Sequence, residues 1–218
     1  MKIVQKKGLP LKDQAYHFLK KKIITCELMP ETDISEAKIA EEMSISRTPV
    51  REAILRLSQE GFIMIYPRKG MIVSPVTVQD IHEVFQIRKM VEPYIAVKNC
   101  DNISKEDLIK IKNKFDDFIA IDEDKPYVKY FDLDTEFHKY IIRSSNNKKL
   151  ISFMDKIYDL DYRIRALSTL KLEDIEERSK PEHYAIIEGL LNNDKTGIEK
   201  NLNLHLDNAL EAALRSIY

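Results

Sequence analysis

The chain has 218 residues, 44% hydrophobic and 33% charged, with 5 glycines, 2 cysteines and no tryptophan. That composition suits one or two helix-rich domains and excludes a disulfide framework, and no apolar run approaches the roughly 20 residues that a membrane span requires. The net charge of −1 hides an asymmetry: residues 1–75 carry 13 Lys+Arg and 9 Asp+Glu, a balance of +4, and the remainder carries 22 and 27, a balance of −5. A basic first third on an acidic remainder suggests two domains with different partners. The start of the chain lacks the apolar region of a signal peptide, so a cytoplasmic location is expected. Cys26 and Cys100 read as ordinary reduced thiols.

In chain order, residues 11–26 place Ala15, Phe18, Leu19, Ile23 and Ile24 at helical spacing, and Pro30 breaks that helix. Ser35 can cap a short second helix through Ile39, Ala40 and Met43. A third runs from about Arg47 to Gln59 and stops at Gly61. Residues 62–75 alternate around a turn at Pro67 to Gly70, the pattern of a two-stranded hairpin. After the "SPVT" junction the pattern is almost wholly helical. Helices are expected from Thr77 (capped with Asp80) to Asn99, from Ser104 to Ile121, from Pro126 to Arg143, and from Lys149 to Leu167. Two more run from Pro181 to Leu191 and from Thr196 to Ser216. Segment 168–180 can extend either neighbour. Short links between apolar-faced helices imply an antiparallel bundle.

The third helix, "SISRTPVREAILRLSQEGF", has an unusual start. Val50, Ile54 and Leu57 form an inward stripe, with Leu55 and Leu57 read as anchors, while Arg47, Thr48, Arg51 and Arg56 fall off it. A helix N-terminus offers unpaired N–H groups and partial positive charge, and arginines add bidentate contacts to phosphate. A short helix, a tight turn, this helix and a hairpin make a winged helix-turn-helix, whose second helix enters the major groove. Arg68 and Lys69 sit at the wing tip. A solvated arginine face with Thr48 as a mere cap is the bland alternative. The element order, the basic wing and the local charge argue against it.

"SRTPVREAILRLSQEGFI" followed by "RKGMIV" resembles the N-terminal domain of the GntR family of bacterial transcription regulators, and "ELMPETDISEAKIAEEMSIS" matches its first part. The resemblance covers about residues 10–75. It implies that Arg47 and Arg51 contact operator DNA, that Gly70 is the wing glycine, and that a basic contact of the second helix falls at Lys38. One departure stands out. The family often has Pro-Gly where this chain has Pro30-Glu31, which puts that turn in question.

Three of the 5 histidines sit at telling positions in the C-terminal helices. Asp134 and His138 are spaced i, i+4, so they share a helix face, and His138 precedes Ile141 and Ile142 on the inward stripe. His183 lies in line with Ile186, Ile187 and Leu190. His205 lies with Leu202, Ala209 and Ala212. One inward histidine is more often a satisfied core residue than a ligand. Three of them with a carboxylate are costly to bury unless paired, and a divalent metal satisfies all four. Three imidazoles and a carboxylate suit Zn²⁺, Ni²⁺, Mn²⁺ or Fe²⁺.

"FQIRKMVEP", "DTEFHKYI", "EHYAIIEGLLNND" and "NLHLDNAL" resemble the FCD effector-binding domain of the FadR subgroup of that family. The resemblance implies Asp134, His138, His183 and His205 as metal ligands, a small organic acid held at the metal, and Arg88 as its clamp. Independently, Arg88 shares the inward face of Ile81, Val84 and Val91, where a cation needs a partner. A clamp and an internal ion pair remain open there. Arg143, Arg163 and Arg165 are weaker clamp candidates, and His17 and His82 read as structural.

The expectation is a mostly α chain: a winged helix-turn-helix over residues 1–75 and an antiparallel six-helix, FCD-type bundle over residues 76–218. It would bind a palindromic double-stranded DNA operator as a homodimer and respond to a metal-held organic acid. Two alternatives differ in kind. One is a metal-dependent hydrolase with an appended DNA-binding module, for which no separate general base is visible. The other is a DNA-binding protein whose metal is purely structural.

Overall fold

Caps and hydrophobic stripes build nine helices and one hairpin among the described residues. In the computed structural model, which describes residues 8–118, 126–168 and 175–217, the chain divides after Val76 into two units. The first contains α1 (Leu11–Ile24), α2 (Glu36–Met43), α3 (Arg47–Gln59), β1 (Ile63–Tyr66) and β2 (Gly70–Val73). Ser35 caps α2 by accepting from the Lys38 backbone N–H. Ala15, Leu19 and Ile23 of α1 pack with Ile39 and Met43 of α2 and Val50, Ile54 and Leu57 of α3, all buried. Leu55 is a correction: it is 49% exposed, and Ala53 is buried in that turn instead. The stripe passes through i+3, and Leu55 follows Arg51 by one turn on the outer face.

β1 and β2 pair antiparallel, Ile63 opposite Val73 and Tyr66 opposite Gly70. Gly70 has φ +117, a value that side chains rarely adopt, and Arg68 turns with φ +64. The chain after Pro30 lies along β2. Glu31 donates its N–H to the Val73 carbonyl at 2.9 Å and Ile34 to the Met71 carbonyl at 2.8 Å. That pairing was not legible in the sequence. Glu31 takes φ +65. A glutamate therefore adopts the left-handed geometry that a glycine would take more cheaply, and the departure at Pro30-Glu31 leaves a sharp turn in place.

The second unit contains α4 (Val78–Asn99), a single 3₁₀ turn (Cys100–Asn102), α5 (Lys105–Asp116), α6 (Pro126–Arg143), α7 (Lys148–Ser168), α8 (Ile175–Leu191) and α9 (Lys195–Ile217). Thr77 and Asp80 form a reciprocal capping box at α4, and Ser104 caps α5. Phe85, Phe115, Phe131, Phe137 and Tyr158 fill the bundle. Two helix limits differ from expectation. α5 ends at Asp116, and residues 119–125, into which the expected helix ran, lie outside the described residues. α8 begins at Ile175 and carries Pro181 inside it. Proline removes its own N–H from the helical ladder and crowds the carbonyl four residues earlier, yet the helix runs through it. Residues 169–174 of the ambiguous segment lie outside the described residues. No described helix is long and apolar enough to cross a membrane.

Candidate metal centre and nucleic-acid interface

In the first unit Lys38, Arg47, Thr48 and Arg51 are all exposed, as are Arg68, Lys69 and Gly70 at the wing. The Ser46 side chain makes no hydrogen bond at the start of α3, so no side chain there competes for the first-turn N–H groups. Arg51 donates from Nε and Nη2 to the two Glu36 oxygens at 3.0 and 3.1 Å. This two-point contact joins the two helices of the motif and fixes the guanidinium on the outer face. Arg56 is engaged differently. It stacks over Tyr16, 3.6 Å from the ring centroid, and contacts Glu60, which belongs to the packing of α1 against α3.

In the second unit α6, α8 and α9 bring Asp134, His138, His183 and His205 together. All four are buried, and one ligand atom from each lies within 4.8 Å of the others. Asp134 Oδ1 is 3.6 Å from His138 Nε2 and 3.5 Å from His183 Nε2, and the Nε2 atoms of His138 and His205 are 3.2 Å apart. Bonds of about 2.1 Å to a four-coordinate ion place its ligands roughly 3.4 Å from one another.

Each imidazole is aimed from behind. His138 Nδ1 donates to Glu92 Oε2 of α4 at 2.7 Å, and His205 Nδ1 donates to Glu182 Oε2 at 2.8 Å. Burial pushes the Glu92 carboxyl up, but the charges of Arg88 and His138 outweigh it and hold it at about 2. An ionised Glu92 is an acceptor only, which places a proton on His138 Nδ1 and leaves Nε2 as the nitrogen turned to the cluster. The same reasoning holds at His205, whose Glu182 is also held below the usual carboxylate range: burial opposes this, and hydrogen bonds from His205 and Asn208 outweigh it. The two Nε2 atoms therefore face each other at 3.2 Å, an arrangement that a cation between them suits.

His183 is fully buried and stacks on Phe115 with centroids 4.8 Å apart. Its Nε2 has no hydrogen-bond partner, and Tyr130 Oη lies 3.4 Å from its Nδ1. Burial, then the neighbouring His205, lower its pKa to about 4, so it is a neutral lone-pair donor. Burial raises Asp134, but Arg165 and then His138 hold it well below the usual range; Arg165 Nη1 donates to Asp134 Oδ2 at 2.7 Å. Three imidazoles and one fixed carboxylate, converging and supported from outside, fit a divalent metal ion.

Arg88 joins both readings that its position left open. Its Nε donates to Glu92 at 2.6 Å and its Nη1 to Asp161 at 2.6 Å, an internal ion pair on both sides. Its Nη2 has no hydrogen-bond partner, and the residue also lines a cavity of about 290 Å³ shared with Asp134 and His205. A chain of contacts runs His138–Glu92–Arg88–Asp161–Arg165–Asp134 and so links the cavity arginine to two of the four converging residues. Sequence reasoning missed Glu92, Glu182, Asp161 and Tyr130. The i, i+4 pairs Arg88–Glu92 and Asp161–Arg165 on buried faces were the available signal.

Comparison with known proteins adds independent findings. Residues 83–208 match the FCD domain, and residues 11–73 match the gntR family of bacterial regulatory proteins. The chain is 26% identical over 209 residues to the HTH-type transcriptional repressor RspR of Escherichia coli K12, covering 93% of this chain and 89% of that one. It is 26% identical over 200 residues to the gluconate operon transcriptional repressor of Bacillus licheniformis, covering 87% and 79%. In fold it resembles E. coli McbR/YncC, with a TM-score of 0.82 at 19% identity over 96% of this chain and 100% of that one. A Zn²⁺-bound FCD domain, from the regulator TM0439, superposes with a TM-score of 0.54 at 30% identity over 66% of this chain and 99% of that one.

Proposed function

The chain belongs to the gntR family of bacterial regulatory proteins and carries an FCD domain, and from that premise we propose a transcription regulator whose operator affinity is set by a metal-held organic acid. The observation that carries this reading is the convergence of Asp134, His138, His183 and His205 beside a cavity that Asp134, His205 and Arg88 line. Those four residues would hold a divalent ion; three nitrogens and one oxygen suit Zn²⁺, Ni²⁺, Mn²⁺ or Fe²⁺. A bound ion supplies a Lewis-acidic centre able to take a carboxylate oxygen. Glu92 and Glu182 orient the imidazoles, Arg165 fixes Asp134, and Arg88 offers Nη2 to an anion in the cavity.

On the DNA side, Arg47, Thr48 and Arg51 face the major groove, Lys38 contacts the backbone beside them, and Arg68, Lys69 and Gly70 form a wing against the neighbouring backbone or minor groove. A homodimer on a palindromic operator follows from matching two-fold symmetry to half-sites. The acid acts only as far as it binds the DNA-competent and DNA-released forms unequally. The test combines metal analysis with operator titration. One divalent ion per chain is expected in the wild type and none in His138→Ala. Operator affinity should change when a carboxylic acid is added to the metal-loaded protein. Full metal content in His138→Ala refutes the ligand set.

A further inference from the structure

The cavity is lined by four arginines, Arg88, Arg165, Arg178 and Arg215, and their donors are unequally committed. Arg165 donates to Asp134 and Thr135 and contacts Asp161. Arg215 is hydrogen-bonded to Glu211. Arg88 uses Nε on Glu92 and Nη1 on Asp161, which leaves Nη2 unbonded in a residue only 1% exposed. Arg178, on the first turn of α8, is exposed and forms no ion pair among the described residues.

The acidic groups on the cavity wall are already engaged. Asp134 is held by Arg165, Glu182 by His205 and Asn208, and Glu211 by Arg215. Among the described residues two cationic donors therefore remain for a ligand, one on a buried arginine and one on an exposed one. A buried guanidinium N–H with no acceptor is costly, and an anion is the group that satisfies it. The lining also includes Phe131, Ala209 and Ala212, which suits a short hydrocarbon spacer. A cavity of roughly 150 Å³ admits a six-carbon ring, so one of about 290 Å³ admits on the order of a dozen non-hydrogen atoms.

We propose that the ligand is a small dicarboxylate, with one carboxylate at the buried Arg88 end and the other at Arg178, and that Arg178 selects it over monocarboxylates. The inference rests on reading this cavity as the effector site. Isothermal titration of the Zn²⁺-loaded full chain with matched pairs of acids tests it: butyrate against succinate, valerate against glutarate, hexanoate against adipate. In the wild type at least one diacid should bind roughly fivefold or more tighter than its monoacid, the size of an exposed charge pair. Arg178→Ala should abolish that preference without changing monoacid affinity or metal content, and Arg178→Lys should retain part of it. A preference that survives Arg178→Ala overturns the assignment of the second carboxylate. Equal binding of both acid classes by the wild type overturns the proposal and leaves the acid-sensing reading standing. Binding of neither class overturns both.

Discussion

Glu92→Gln perturbs the candidate centre without replacing a converging residue. The carboxylate is fully buried and accepts from two donors, Arg88 Nε at 2.6 Å and His138 Nδ1 at 2.7 Å. A glutamine has one acceptor oxygen and one NH₂, so one of the two donors then faces another donor. If His138 yields by moving its proton to Nε2, it loses the lone pair that it would offer to a metal. Loss of such an orienting partner costs about 10- to 100-fold in metal affinity, or about 1.4 to 2.7 kcal/mol. Arg88 keeps Asp161 but loses its second counter-charge, and breaking a buried pair destabilises by about 3–5 kcal/mol. Competition of Zn²⁺ between the protein and a chromogenic chelator reads the first effect, and thermal unfolding in excess chelator reads the second. Glu182→Gln serves as the comparison. Its effect should be smaller, because Glu182 is only partly buried and its amide oxygen can still accept from Asn208. A folded Glu92→Gln protein that binds Zn²⁺ within twofold of the wild type refutes the orienting role.

Three further outcomes follow from the same structure. Glu31→Gly should raise the unfolding midpoint of the N-terminal unit, by about 1 kcal/mol in stability, because φ +65 suits glycine better than glutamate; a lower midpoint would contradict this. Arg51→Ala should weaken operator binding and lower the slope of log affinity against log salt by about 1, with metal content unchanged, if Arg51 meets a phosphate. Glu60 lies below its usual pKa: burial opposes this, while hydrogen bonds from Tyr16 and Lys20 and the charges of Lys20 and Arg56 outweigh it. A depressed folded-state pKa contributes stability that is present above the unfolded value of 4.5 and lost as pH falls through the folded one. Glu60→Gln should therefore flatten the acid side of the stability profile of the N-terminal unit, below about pH 4.5, in denaturant titrations run at several pH values. A profile parallel to the wild type would remove Glu60 from the account.

What could be read from the sequence was local in origin. Ser35, Thr77 with Asp80, and Ser104 announced helix starts because a cap is chemistry within four residues. The Asp134–His138 face and the inward histidines were visible through helical period alone. What could not be read was long-range. Glu92 reaches His138 across 46 positions and Glu182 reaches His205 across 23, and no spacing rule links them. The segment at Glu31 to Ile34 pairs with β2 through backbone groups, which leave no mark in side-chain pattern. Leu55 misled for the opposite reason: its hydrophobicity suggested burial, yet the stripe had already been filled by Ala53, Ile54 and Leu57.

The central claim is that the cluster of Asp134, His138, His183 and His205 governs DNA binding through a metal and an acid. Fluorescence anisotropy of operator DNA with Zn²⁺-loaded protein, titrated with the diacid that binds most tightly, tests it directly. The account predicts an operator Kd that shifts about tenfold or more in the wild type, a coupling of about 1.4 kcal/mol, and no shift in His183→Ala. An unchanged Kd in the wild type, or an equal shift in His183→Ala, would contradict it.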